Sequence, residues 1–253
     1  MIEEPFATGT SFFHRRDPRV KLIAAASLSL VLALTTSFIT AISGCLFTGL
    51  LLILSRPNVI PVLKRIAAVN SFTVFLLITL SFTYGGDRTT DLQFFPFSPD
   101  GLRMAVLIAL KSNGILFCFL ALLATSTTVN LGHGLEKLGM PRKLIFLLLF
   151  SYRQLFIIHQ EYTRLQRAAK LRGFIPVNSL HTYRTYAYLF GMTLVKSWNR
   201  SERVQQAMVL RGFNGRLIPL NQPQPTWVDY YFLIILLLIS LTLAGFSFAS
   251  FPL

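Results

Sequence analysis

The sequence predicts an all-α integral membrane protein with about five transmembrane helices and two long helices on the cytoplasmic side. Three observations predict it. Hydrophobic residues fill 53% of the 253 positions and charged residues only 13%, with a mean hydropathy of +0.57. A soluble domain carries about 25% charged residues, so an ordinary water-soluble fold is excluded, as is disorder. Leu22 to Ser55 contains no charge over 34 residues, more than one crossing of a ~30 Å hydrocarbon core needs. Finally, the 24 Lys and Arg against 10 Asp and Glu are gathered into segments that alternate with the apolar ones, as positive-inside orientation requires.

The elements follow in order. Asp17-Pro18 starts the first helix, because a capping carboxylate precedes a proline whose missing N–H costs nothing in a first turn. The 34-residue run divides into spans at about 20–36 and 38–55, turning near Thr35-Thr36-Ser37. A third span is expected at about 66–83, a fourth at 102–124 and the last at 227–250. Arg15, Arg16, Arg19 and Lys21 put the N-terminus in the cytoplasm, and Arg56, Lys64 and Arg65 mark the next inside turn. The loop 84–100, with Asp87, Asp91 and Asp100 against Arg88, is then outside. Phe94, Phe95 and Phe97, and Trp227, Tyr230 and Tyr231, read as interfacial anchors. Three regions result: residues 1–124 with four spans, a cytoplasmic module at 125–216, and a C-terminal span within 217–253. The N-terminus Met1-Ile-Glu-Glu-Pro-Phe has no basic-then-apolar pattern, so no cleavable signal peptide is expected. Cys45 and Cys118 lie inside apolar runs and read as buried hydrophobes rather than as a disulfide.

The module at 125–216 carries the information about function. From Lys137 to Arg216 there are fourteen basic residues and two acidic ones, Glu161 and Glu202. A short helix at about 128–138 precedes a helix of about thirty residues opened by Pro141 and closed by Gly173 and Pro176. A second long helix runs from about His181 to Arg211 and stops at Gly212. Their ends repeat. Arg164-Leu-Gln-Arg-Ala168-Ala-Lys-Leu171-Arg172-Gly173-Phe174 matches Arg203-Val-Gln-Gln-Ala207-Met-Val-Leu210-Arg211-Gly212-Phe213 at seven of eleven positions, 39 residues apart. Arg in a last turn followed by Gly is common as a cap, since the cation offsets the helix dipole and Gly takes the left-handed position. Two copies that also share Ala, Gln, Leu and Phe point beyond a cap, to docking on two similar partners or on a symmetric pair.

Catalytic chemistry is not expected. His14, His133, His159 and His181 are scattered without metal-ligand spacing, and no phosphate-cradling, nucleophile-elbow or zinc motif is present. A basic tail with interleaved aromatics for nucleic acid is also missing. Lys111, beside Ser112 and Asn113, is the one basic residue well inside a span. It reads either as a polar membrane site or as a helix-interface residue bonded to carbonyls or hydroxyls. Gly44 and Gly49 are five apart, which misses the four-residue helix-contact motif.

With these motifs in view, the chain resembles the T component, the transmembrane coupling subunit, of energy-coupling factor transporters, a family related to ABC transporters. The segment Phe13-His-Arg-Arg-Asp17-Pro18-Arg19-Val-Lys21-Leu22, the four leading spans, Leu135-Glu-Lys-Leu-Gly-Met-Pro141 and Arg200-Ser-Glu-Arg-Val204 all carry the likeness. Leu-Arg-Gly-Phe and Arg-Ser-Glu-Arg-Val look most like the CbiQ-type cobalt branch. The family's usual tripeptide is Ala-Arg-Gly, where this chain has Leu171 and Leu210 before the Arg. The resemblance implies a non-catalytic, multi-pass inner (plasma) membrane subunit with no cofactor of its own. ATP would be hydrolysed by two cytoplasmic ATPase subunits, and a small substrate-binding membrane subunit would sit elsewhere on the chain, within membrane lipid. The long helices would cross in an X, with Arg172, Gly173, Ala168 and Arg164 docking one ATPase and Arg211, Gly212, Ala207 and Arg203 the other. Cobalt uptake, serving cobalamin biosynthesis, is the implied transport, with nickel or a vitamin such as biotin as alternatives. An intramembrane enzyme acting on lipid-linked substrates and a self-sufficient secondary carrier are rivals of other classes.

Overall fold

The structure, a computed structural model, describes residues 13, 16–83, 99–213 and 226–249. Eight helices form among them: α1 (Pro18–Leu34), α2 (Phe38–Ser55), α3 (Val59–Thr83), α4 (Pro99–Leu122), α5 (Thr128–Lys137), α6 (Arg142–Leu171), α7 (Leu180–Leu210) and α8 (Trp227–Ala249). The acidic loop with Asp87, Arg88 and Asp91, the anchors Phe94, Phe95 and Phe97, and His14, Arg15 and Arg216 lie outside the described residues. Two compact units result, one of α1–α5 and α8, the other of α6 and α7. The second unit starts at Gly139 and not at 125. Its boundary moves because α5 packs on α1: a Cβ on Gly134 would stand 3.2 Å from Pro18 Cβ and 3.1 Å from a Leu22 methyl.

Each helix start has a chemical reason. Asp17 Oδ1 accepts from Arg19 N at 2.9 Å, as its position before Pro18 predicts. Thr127 caps α5 by accepting from Asn130 N at 3.3 Å, and Asp229 Oδ2 accepts from Thr226 N at 2.8 Å at the start of α8. The turn between α1 and α2 needs neither Gly nor Pro. Thr35 stops α1 in extended backbone (φ −60°, ψ 131°) while its hydroxyl and its N–H both bond Val31 O, so the freed carbonyl is not left bare. Helix α3 begins seven residues before the expected span, because Pro61 is tolerated in a first turn; Lys64 and Arg65 then lie on its exposed early turns.

Helices α2, α3, α4 and α8 each hold an 18-residue stretch apolar enough to cross a membrane. With 17 residues, α1 is about 26 Å long, and its Ala24, Ala25, Leu28 and Leu32 are at most 1% exposed. It packs against α4, α5 and α8, while α2 and α3 pack on α4. Close approach depends on glycine at two points. A Cβ on Gly44 would come within 2.4 Å of Leu32 Cδ2, and one on Gly114 within 3.5 Å of Cys45 Cα. Gly49 meets ordinary contact at 3.8 Å from Phe117, so of the two α2 glycines Gly44 is the one packing requires. Cys45 and Cys118 are free thiols, and Cys118 is fully buried.

Lys21 is 0% exposed, its ammonium held by Ser126 Oγ at 2.7 Å and Thr125 Oγ1 at 3.3 Å. Arg16 Nη1 reaches Asp229 Oδ1 at 3.2 Å, and the charges of Asp229 and Asp17 both act on Lys21. Deeper along the helices, Asn113 Nδ2 donates to Asn70 Oδ1 at 2.8 Å, joining α4 to α3. Removing Lys21 empties a fully buried site, takes a balancing charge from Asp17 and Asp229 and leaves the Ser126 and Thr125 hydroxyls without their donor, whereas removing Asn113 breaks one interhelical bond. Lys21→Ala should therefore cost about 3–5 kcal/mol and Asn113→Ala about 0.6–2 kcal/mol. Thermal unfolding of the detergent-purified chain checks the order, and equal losses would refute it.

Candidate functional site

The repeated ends of α6 and α7 fold identically. Arg172 (φ −88°, ψ 15°) and Arg211 (φ −88°, ψ 12°) close the two helices. Gly173 and Gly212 follow in the left-handed region, at φ 82° and 71°. Gly173 N donates to Lys170 O and Phe174 N to Ala169 O; Gly212 N donates to Val209 O and Phe213 N to Met208 O, all at 3.0–3.1 Å. That is the paired 5→2 and 6→1 closure in which glycine supplies the positive φ. Nothing lies within 4 Å of a Cβ built on either glycine, so conformation and not crowding selects it.

What the two ends show to solvent also matches. Leu171 and Leu210 are 90% and 88% exposed, and Arg172, Arg211, Ala168 and Ala207 are exposed beside them. A single exposed leucine is ordinary; here one recurs at the same place in both copies. The two phenylalanines turn the other way. Phe174 packs edge-on against Tyr186 of α7 at 5.7 Å, and Phe213 packs on Phe146 of α6 at 5.2 Å. Each end is thus fastened to the opposite helix while its Leu and Arg point out. The shared Phe of the repeat was the available signal for this fastening.

Arg164 and Arg203 stand elsewhere. Eight residues are about 2.2 turns, so they are rotated by roughly 80° from Arg172 and Arg211. They line a cavity at the middle of the pair instead of the ends. There α6 and α7 run antiparallel, joined by Tyr162 stacked on Phe190 at 4.9 Å. Glu161 bridges them, accepting from Lys196 Nζ at 2.7 Å and from Arg164 Nη1 at 3.3 Å. The hydrogen bond from Lys196, then the charges of Lys196, Arg164 and Arg200, hold the Glu161 carboxyl below its ordinary value of 4.5.

Lys111 donates to Ala33 O at 3.2 Å. Ala33 is in the last turn of α1, where carbonyls have no helical partner, so a cation from α4 closes that helix end. Of the two readings open for Lys111, this contact is the helix-interface one.

An all-helical membrane chain bearing two matched, outward-facing helix ends defines a transmembrane coupling subunit, the T-component class of energy-coupling factor transporters. The comparisons agree. The CbiQ family model, described as a cobalt transport protein, matches residues 9–225, and the chain belongs to that family. The energy-coupling factor transporter transmembrane protein of Brevibacillus brevis is 28% identical over 88% of this chain and 89% of its own length. Its namesake in Listeria innocua is 27% identical over 85% of each. An uncharacterized protein of Methanocaldococcus jannaschii is 24% identical over 94% of this chain and 90% of its own length. As a T component the chain is non-catalytic, and ATPase activity belongs to partner subunits.

Two expectations follow. Gly173→Ala or Gly212→Ala forces alanine into the left-handed region at about 1–2 kcal/mol, so amide exchange at 169–174 or 208–213 should quicken while the rest of the helix is unchanged. Because the Glu161 carboxyl titrates low in the folded chain, its bridge stabilises the pair above pH 4.5 and is lost as pH falls through the lowered value. Spin labels at 163 and 192 should give a narrow distance distribution at neutral pH that broadens in acid, as pH falls through the lowered value; a pH-independent width would contradict the bridge.

Proposed function

We propose that this chain couples two cytoplasmic ATPase subunits to a small substrate-binding membrane subunit for cobalt ion uptake. The observation that carries it is the pair of identical caps, each exposing a Leu and an Arg at the far end of a helix anchored at its middle. One ATPase docks at Leu171-Arg172-Gly173, with Ala168 leaving room for close approach, and the other at Leu210-Arg211-Gly212, with Ala207 in that role. The planar guanidinium suits a carboxylate of the partner, held by two parallel bonds. The Leu beside it fills an apolar groove where the family's more usual Ala would leave space.

The two helices move as levers. Arg172 is eleven residues beyond Glu161 and Arg211 eleven beyond its repeat counterpart Arg200, so the arms are equal, about 16 Å each. Closure of the ATPase pair drives the two tips together and changes the crossing angle of α6 and α7. That change tilts the substrate subunit. The N-terminus is cytoplasmic on this reading, since Arg56, Lys64, Arg65 and the basic α6 and α7 then share one side. The family description supports cobalt; nickel or a vitamin such as biotin would change the substrate subunit and leave this chain's role intact.

Co-purification of the ATPases with wild type and with Arg172→Ala/Arg211→Ala tests the docking. Each lost Arg–carboxylate pair should cost about 2–5 kcal/mol, so the double variant should lose ATPase retention and coupled uptake at least tenfold. Full retention with full uptake would reduce both arginines to helix caps.

A further inference from the structure

Three residue pairs spaced by the repeat's offset of 39 residues meet in one place. Ile157 and Lys196, Glu161 and Arg200, and Arg164 and Arg203 line one cavity of about 370 Å³ between α6 and α7, completed by Ser197 and Asn199. Equivalent positions converge only where the two copies cross, so the cavity lies on the pseudo-twofold axis of the repeat. Its lining is unbalanced. Four cations, Arg164, Lys196, Arg200 and Arg203, face one carboxylate, Glu161, which Lys196 and Arg164 already occupy. The neighbouring Glu202 accepts from Trp198 Nε1 at 3.2 Å. Among the described residues, Arg200 and Arg203 donate no side-chain hydrogen bond.

Three surplus positive charges at a helix crossing repel one another unless an anion joins them. The surroundings say which anion. Leu155 and Ile158 on α6 and Leu194, Val195 and Trp198 on α7 are exposed large apolar side chains, Trp198 at 68%. Cations interleaved with an exposed Trp and aliphatics characterise a surface that lies in the headgroup layer. The volume exceeds that of a bare phosphate and falls within the range of small-molecule sites, roughly 300–1,000 Å³.

We propose that this axial cavity is a headgroup site for an anionic phospholipid. Its phosphodiester is held by Arg200 and Arg203, with Arg164 from the other copy, while the acyl chains lie along the exposed apolar residues. Guanidinium forks match phosphate oxygens in geometry, and one phosphate touching both copies fastens the crossing itself. This goes beyond ATPase docking and is independent of it, because Arg172 and Arg211 are at the ends of the arms.

The test uses the full-length chain in phosphatidylcholine nanodiscs containing a minor fraction of phosphatidylglycerol, with retained lipid read by native mass spectrometry. Wild type and Arg172→Ala/Arg211→Ala should retain phosphatidylglycerol at least tenfold over phosphatidylcholine. Arg164→Gln/Arg200→Gln/Arg203→Gln should lose that preference, and Arg200→Gln alone should reduce it severalfold. Equal retention of both lipids by wild type, or an unchanged preference in the triple variant, overturns the proposal. So does stabilisation of lipid-free, detergent-purified chain by inorganic phosphate that abolishes phosphatidylglycerol retention, which would make the site one for free anion. Failure of ATPase docking would show separately, as ATPase retention by the Arg172→Ala/Arg211→Ala chain.

Discussion

A buried ammonium governs how the membrane unit is built. Lys21 is shut off from solvent in α1, and a charge there persists only with close polar partners. Ser126 and Thr125 supply them from the connection between α4 and α5, so the course of that connection is fixed by what Lys21 needs. The carboxylates of Asp17 and Asp229 balance the charge, and each is also occupied as a helix cap. This cation and the two capping carboxylates thus bring together the start of α1, the start of α8 and the link from α4 to α5. Arg16 on Asp229 extends the network toward the chain's start.

The same rule operates along the spans, at lower stakes. Hydrocarbon offers no hydrogen bonds, so each polar side chain must bond within the protein. Thr48, Thr73, Ser81 and Ser240 return their hydroxyls to carbonyls three or four residues back, which satisfies them without a partner helix. Asn113 does both, donating to Ala109 O four residues back and to Asn70 Oδ1 across α3 and α4. Lys111 finds a carbonyl that α1 leaves unbonded at its end. Polar residues in these helices thus differ by reach: short ones close on their own helix, and long ones also join helices.

Local features of this chain were legible in the sequence because their causes are local. The Asp17 cap, the break at Thr35–Ser37, the ends of α6 and α7 and the repeated Leu-Arg-Gly-Phe are all set within a few residues, and the structure places them where pattern and cap chemistry do. Long-range pairings were not legible. Lys21 could be read as one more positive-inside charge, since nothing near it in the chain marks Ser126, 105 residues away, as its partner. Arg16 and Asp229 are 213 residues apart. The repeat was visible, but nothing in it shows that Arg164 and Arg203 gather with Glu161 and Arg200 midway along the pair.

The two helix ends contain more than capping explains. A cap accounts for Gly173 and Gly212 through their positive φ, and for the backbone bonds that close the last turns. It does not account for Leu171 and Leu210, which gain nothing from exposure of 90% and 88% and would be replaced by polar residues at no cost to the cap. An arginine at the last position is favourable to the helix dipole by only about 0.3–1 kcal/mol when exposed, and lysine would serve as well. Recurrence of Leu, Arg and Gly in one order, on one geometry, at both ends of a crossed pair is what two equal sockets would select. Partners that are themselves paired by a twofold axis present two equal sockets, because a twofold places the same surface on each side. On the proposed coupling function, the symmetry inside this one chain matches the shape of what it binds.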